Sequence, residues 1–115
     1  MSKLDDIKKL DLNNIRFVTS DTSLTENDSY LICDAPIEMY ITLPSASGSR
    51  KLYLIKNLSI DTVYINATGS DMIDNIDNYW WLYTFESVTL VDYSVGNWII
   101  LDANIWWIFW FGDGV

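Results

Sequence analysis

Residues 37–43 read Ile-Glu-Met-Tyr-Ile-Thr-Leu, with Ile37, Met39, Ile41 and Leu43 apolar and Glu38, Tyr40 and Thr42 between them. A period of two marks a strand with one buried face and one open face, because successive side chains of an extended chain point to opposite sides. Stretches 52–55, 62–65, 87–91 and 98–101 carry the same β-branched and aromatic content. They predict further short strands. Clusters of Asn, Asp, Ser, Gly and Pro at 25–29, 44–49, 57–61, 67–71 and 93–97 separate them as turns. Strands at this density, with no long helical period between them, predict a mainly β fold over 15–102. The expected form is a small antiparallel β-sandwich or roll.

Either side of this region the pattern changes. Residues 2–12 have helical spacing, with Leu4, Ile7 and Leu10 on one face, Ser2 placed to cap the first turn, and Asp5 and Asp6 placed near its positive end. A helix of about three turns is marginal alone in water, so 1–14 is expected to be an anchor that packs on something else. Residues 103–115 hold the greasiest stretch of the chain: Ile105, Trp106, Trp107, Ile108, Phe109, Trp110 and Phe111. Read as a strand, that run is apolar on both faces, which predicts cover on both sides. Fully burying one large aromatic side chain stabilises by roughly 1.5–3 kcal/mol, so leaving five of them wet would cost most of a small domain's stability. Three accounts fit: a core strand of its own subunit, a docking strand that completes an oligomer or enters a partner, or a dip into a membrane interface. The membrane account is the weakest, because anionic lipid repels an acidic chain.

With 115 residues the chain is expected to form one unit around a modest core. Its formal net charge is −9, and all seven basic residues lie at or before Lys56. A distribution of that kind repels phosphate, so neither nucleic acid nor a membrane is an expected partner. The opening MSKLDDIKKL has no apolar signal-peptide core, and the run at 105–111 is far short of the ~20 residues that span a bilayer. Synthesis in a cytoplasm as a soluble product is the expectation. Cys33, the one cysteine, falls in an apolar run and reads as a buried, inert thiol.

Catalytic chemistry finds little footing. The chain has no histidine, which removes the usual general base and the commonest metal ligand. No Gly-x-Ser-x-Gly elbow and no phosphate-cradling Gly loop occurs, and nearly every acid sits in a turn cluster. The expectation is a protein that is not an enzyme and takes no cofactor. Asp71, Asp74 and Asp77, with Asn75 and Asn78, could offer oxygen ligands to Ca²⁺, but their spacing does not match an EF-hand. A solvated turn, in which Asp and Asn bond their own backbone, is the favoured reading. Ser45, Ser47 and Ser49 around Gly48 read as a flexible turn, and Arg50 and Lys51 are a weak phosphate signal among so many acids. Tyr79, Trp80 and Trp81 are a candidate glycan platform, although alternate packing on the core and on a neighbouring subunit is favoured. Trp98, inside an expected strand, reads as core.

The phrases ITLPSASGSRKLYLIKN, TVYINATGSDMIDNID and YTFESVTLVDYSVGNWIIL follow one another in order. Together they resemble a β-rich module of bacteriophage tail fibres, spikes and other virion fibres, over about 17–101. The resemblance implies a homotrimer with a shared hydrophobic axis. It also implies a structural role in a virion, as a short fibre, spike or decoration protein of head or tail, with other virion proteins as partners. The alternative is a carbohydrate-binding adhesin tip that recognises a host-surface glycan. Tyr79-Trp80-Trp81 and the aromatic run at 105–111 depart from the module's usual pattern, and these departures point to a specialised contact.

Overall fold

The computed structural model describes residues 14–104. Ten strands form two sheets: β1 (Ile15–Val18), β2 (Thr22–Ser23), β3 (Tyr30–Cys33), β4 (Met39–Thr42), β5 (Leu52–Asn57), β6 (Val63–Asn66), β7 (Met72–Ile73), β8 (Tyr79–Leu82), β9 (Ser87–Ser94) and β10 (Asn97–Asn104). One sheet is six-stranded in the order β1-β3-β5-β9-β10-β7, and the other is four-stranded in the order β2-β4-β6-β8. The mainly β class read from the sequence is therefore observed, with no helix among the described residues. The helix expected over 2–12, with Leu4, Ile7 and Leu10, lies outside the described residues, as does the apolar run at 105–111.

The antiparallel arrangement expected from the sequence is corrected. From β1 to β9 each strand lies in the opposite sheet from the one before it. As far as β6, strands two apart in sequence become neighbours and run the same way. β1 pairs parallel with β3 at Ile15↔Tyr30, and β3 with β5 at Tyr30↔Leu54. In the facing sheet β2 pairs parallel with β4, and β4 with β6 at Met39↔Val63. Parallel strands need a crossover, and here a strand of the opposite sheet supplies it in place of a helix. The chain thus coils around its own core. β10 ends the alternation by staying in the same sheet as β9, and β9 pairs antiparallel with both β5 and β10. β6 and β8 are also antiparallel, and β7 closes the edge of β10 in parallel. An alternating pattern reports one buried face in either direction, so it could not separate the two arrangements.

The period of two does its expected work in the core. Leu31 and Cys33, Tyr53 and Ile55, and Val88 and Leu90 point inward from the larger sheet. Met39 and Ile41, Val63 and Ile65, and Leu82 meet them from the smaller one. Trp98 is fully buried, edge-on to Tyr53 at 5.5 Å between ring centroids. The Cys33 thiol is buried, and burial pushes its pKa up to about 12, so it holds almost no thiolate at neutral pH. Residues 93–97, expected as a turn, are mostly strand: β9 runs through Ser94 and β10 starts at Asn97, leaving Val95 and Gly96 as a tight connection.

Two buried polar side chains hold opposite ends of β5. At one end Asn57 is fully buried, and its Nδ2 donates to Leu82 O of the facing sheet and to Asp61 O, both at 2.9 Å. Its Oδ1 accepts from Ser59 N at 2.7 Å, and Ser59 Oγ in turn accepts from Ala35 N. At the other end the Asp92 carboxylate accepts from Ser47 N and Oγ, Gly48 N and Ser49 Oγ, at 2.7–3.1 Å. Gly48 sits at φ 81°, where a side chain would be strained. Ser47 and Ser49 are thus fixed donors, more than the flexible turn expected of them.

These two groups generate two predictions. Asn57→Ala leaves buried carbonyls and an amide without partners, each costing ~1–3 kcal/mol, so the variant should lose about 2–4 kcal/mol in urea unfolding. For Asp92, burial raises the pKa, but the Gly48 and Ser47 amides and the Ser49 and Ser47 hydroxyls together outweigh it and hold the group below its ordinary value. A depressed folded pKa contributes stability above the unfolded carboxylate value of about 3.9, and that contribution is lost as pH falls through the folded value. Asp92→Asn should therefore cost roughly 2–3 kcal/mol at pH 7. The gap from the parent chain should narrow below about pH 4. Urea midpoints across pH 2–7 check both.

Candidate functional site

The four-stranded sheet has one face in the core, and the same alternation that buries Met39, Val63 and Leu82 turns Tyr40, Tyr64 and Trp81 outward. The register places Tyr40 opposite Tyr64 and Tyr64 opposite Trp81, so the three form one row across three strands. Tyr40 and Tyr64 stack at 5.2 Å with 16° between ring planes, and Tyr79 stacks on Trp81 at 5.7 Å and 26°. Tyr40 and Tyr64 form a cross-strand pair that adds to the pairing of β4 with β6, whereas Tyr79 and Trp81 are neighbours on one face of β8. Beside them runs a polar row of Ser23, Thr42 and Asn66. Tyr40 Oη donates to Glu38 Oε1 at 2.9 Å, and that bond raises the phenol's pKa. Tyr40 and Tyr79 each keep about 40% of their surface open to solvent, so the ring row is a real surface feature.

Of the sequence-predicted platform, Tyr79 and Trp81 belong to this outer face, whereas Trp80 packs against the core. Tyr40 and Tyr64 complete the row, and the sequence reading did not select them. Their outward direction was legible in the alternation, but the register that aligns them across strands was not.

β8 is an edge strand, and at its free edge Trp80 and Trp81 lie 6.1 Å apart, beside β7 and β10. A cavity of about 190 Å³ opens there between the two sheets, lined by Ile73, Asp74, Ile76, Asp77, Tyr79, Trp80, Trp81 and Ile100. The turn after β7 forms its rim. Asp74 and Asn75 both have φ 54°, the left-handed region that side chains disfavour. Asp74 earns that conformation by continuing the ladder where β7 stops: its N donates to Trp98 O at 2.7 Å, and its Oδ1 accepts from Ile100 N at 2.8 Å.

The candidate Ca²⁺ carboxylates separate in space. Asp71 Oδ2 accepts from Ala46 N, Asp74 Oδ1 from Ile100 N, and Asp77 Oδ1 from its neighbour Asn78 N. Among the described residues no group of three or more Cys, Asp or Glu side chains is gathered to hold a metal ion. A second, polar cavity of about 230 Å³ lies over the Ser47–Ser49 loop and is lined by Glu26, Ser45, Lys51, Tyr53 and Asp92 among others. Burial first, then the charges of Asp92, Glu26 and Asp28, push the Tyr53 phenol up to about 12. It therefore stays protonated at neutral pH.

Phe85, in the turn from β8 to β9, stands at φ 68° with 62% of its surface exposed. Its N donates to Asn57 O at 2.7 Å, and its O accepts from Lys56 Nζ, which holds the turn in place. Glycine would suit that backbone better. Comparison of the chain with protein-family models, curated proteins and solved structures finds no match. Because αL geometry costs a side-chain-bearing residue ~1–2 kcal/mol and glycine loses ~0.5–1 kcal/mol in chain entropy, Phe85→Gly should stabilise the fold by about 0.5–1 kcal/mol. A thermal unfolding midpoint raised by a few degrees would register it, and an unchanged or lower midpoint would show that the exposed ring contributes to folding itself.

Proposed function

We propose that this chain is a structural component of a bacteriophage particle, a short fibre, spike or decoration protein of head or tail, acting by assembly. The observation that supports the reading is the outer face of the four-stranded sheet. A row of Tyr40, Tyr64 and Trp81 with Tyr79 stacked on it, bordered by Ser23, Thr42 and Asn66, has the composition of a subunit interface: aromatic anchors at the centre and neutral polar groups at the rim. In this reading the chain pairs with copies of itself as a homotrimer, and the apolar residues 105–111 lock subunits together or dock onto another virion protein. It carries no cofactor and performs no catalysis. It is made in the host cytoplasm and ends in the virion.

Solution mass tests this. The full chain should sediment as a trimer, and Tyr64→Glu, which places a charge at the centre of the ring row, should reduce it to monomer with the strand signal in circular dichroism retained. A chain truncated after Asn104 should lose the trimer as well if 105–111 is the lock. A full chain that stays monomeric while its truncated form behaves well would move the docking partner to a different virion protein. A trimer indifferent to both changes would sink the interface assignment.

A further inference from the structure

The edge cleft shares Tyr79 and Trp81 with the outer ring row and adds Trp80 and two carboxylates to them. We infer that the cavity between β7, β8 and β10 binds a small quaternary ammonium headgroup, of the size of trimethylammonium. Three aromatic rings form its wall, with Trp81 5.7 Å from Tyr79 and 6.1 Å from Trp80, centroid to centroid. A cation is attracted by a ring face within about 6 Å of its centroid, and three of the eight residues that line this cavity are aromatic. Asp74 and Asp77 stand at the rim, and no lining residue is basic. The chain has no Lys or Arg after Lys56, so the local field comes from carboxylates.

Size and charge narrow the ligand. At about 190 Å³ the cavity is smaller than the ~300–1,000 Å³ of sites that swallow whole drug-sized molecules, which fits a headgroup. An anion would meet Asp74 and Asp77 with no countercharge. A purely apolar group would strip water from those carboxylates and return nothing. A neutral sugar asks for donors as well as acceptors, and the Trp80 indole N–H is buried out of contact with solvent. A soft, weakly hydrated cation suits both the ring faces and the acidic rim. Ile73 and Ile100 supply the apolar floor against which its methyl groups would pack.

The test uses the full-length chain and choline, with 3,3-dimethylbutan-1-ol as its uncharged isostere and methyl α-glucoside as a sugar control. Indole N–H signals of Trp80 and Trp81 in ¹H–¹⁵N spectra report binding. Choline should shift them saturably, at least ~10-fold more tightly than the isostere. Asp77→Asn should weaken choline by roughly 3–10-fold, and Asp77→Lys should abolish binding, because the rim charge is removed and then reversed. Asp77 Oδ1 bonds only its neighbour's amide, so neither variant touches the core. A trimethyl-lysine peptide run in parallel separates a lipid or polymer choline source from a modified protein, and binding of either supports the inference. Equal binding of choline and its isostere, or glucoside shifts without choline shifts, would overturn it. So would choline binding unaffected by Asp77→Lys. Because the readout is local, a monomeric chain that binds choline would refute the homotrimer and leave this inference standing.

Discussion

Every connection from β1 to β9 carries the chain from one sheet to the other, so amides and carbonyls arrive at the two ends of the sandwich where no ladder can pair them. Asn57 resolves this at one end. Its side chain reaches the carbonyls of Asp61 and Leu82 and the amide of Ser59, while its own backbone pairs with Glu86 and Phe85. A carboxamide suits the place because it donates and accepts at once, whereas a carboxylate would leave two carbonyls facing negative charge. The link from Asn57 to Leu82 is also a direct polar tie between the two sheets. Elsewhere between those layers it is apolar packing that holds them, which fixes separation better than it fixes register.

At the far end of β5 the required chemistry is the reverse. The loop of Ser47, Gly48 and Ser49 offers donors, and Asp92 is acceptor-only. Its backbone closes the same join, with Arg50 N donating to Asp92 O and Asp92 N donating to Lys51 O. Asp28 does similar work nearer β1: it accepts from Thr25 N at 2.8 Å and pairs with Arg16 at 3.1 Å. With Arg16 largely solvated, that ion pair adds little beyond the turn it steadies. The coil is therefore stapled by single acidic or amide side chains at its bends. This explains why turn clusters rich in Asp, Asn and Ser are so frequent in a chain with few glycines.

Much of this was legible before any coordinates. The alternation of 37–43 correctly put Met39, Ile41 and Leu43 inside, although Ile37, ahead of β4, is exposed, and Trp98 was read as core from its place inside an expected strand. Strand direction was not legible, because parallel and antiparallel neighbours with one buried face carry the same period. β8 was missed as a strand for a related reason. Tyr-Trp-Trp-Leu has no polar residue to mark its outer face, so its sequence shows no alternation even though Trp80 packs on the core and Trp81 faces outward. The roles of Asp74 and Asp92 were hidden too. A turn-forming Asp and an Asp that bonds a segment 26 or 45 residues away look identical in sequence.

Departures from local rules gather around β8. Three of the four non-glycine residues with positive φ among the described residues, Asp74, Asn75 and Phe85, lie in the turns on either side of it. Of the three buried side-chain atoms without a hydrogen-bond partner among the described residues, Trp80 Nε1 is on the strand and Glu86 Oε2 is just beyond it, whereas Trp98 Nε1 lies in the core on β10. Each such orphan costs ~1–3 kcal/mol, and each strained residue a comparable amount. A chain selected for stability alone would place glycine at 85 and a smaller, apolar side chain at 80. The strands β3, β4, β5 and β6 themselves carry no such orphan and no positive φ, although Trp98, packed on Tyr53 of β5, carries one orphan. Strain and unmet polar groups are thus concentrated, though not confined, at one edge strand beside the ring row and the acidic cleft, where local backbone and hydrogen-bonding preferences are least obeyed.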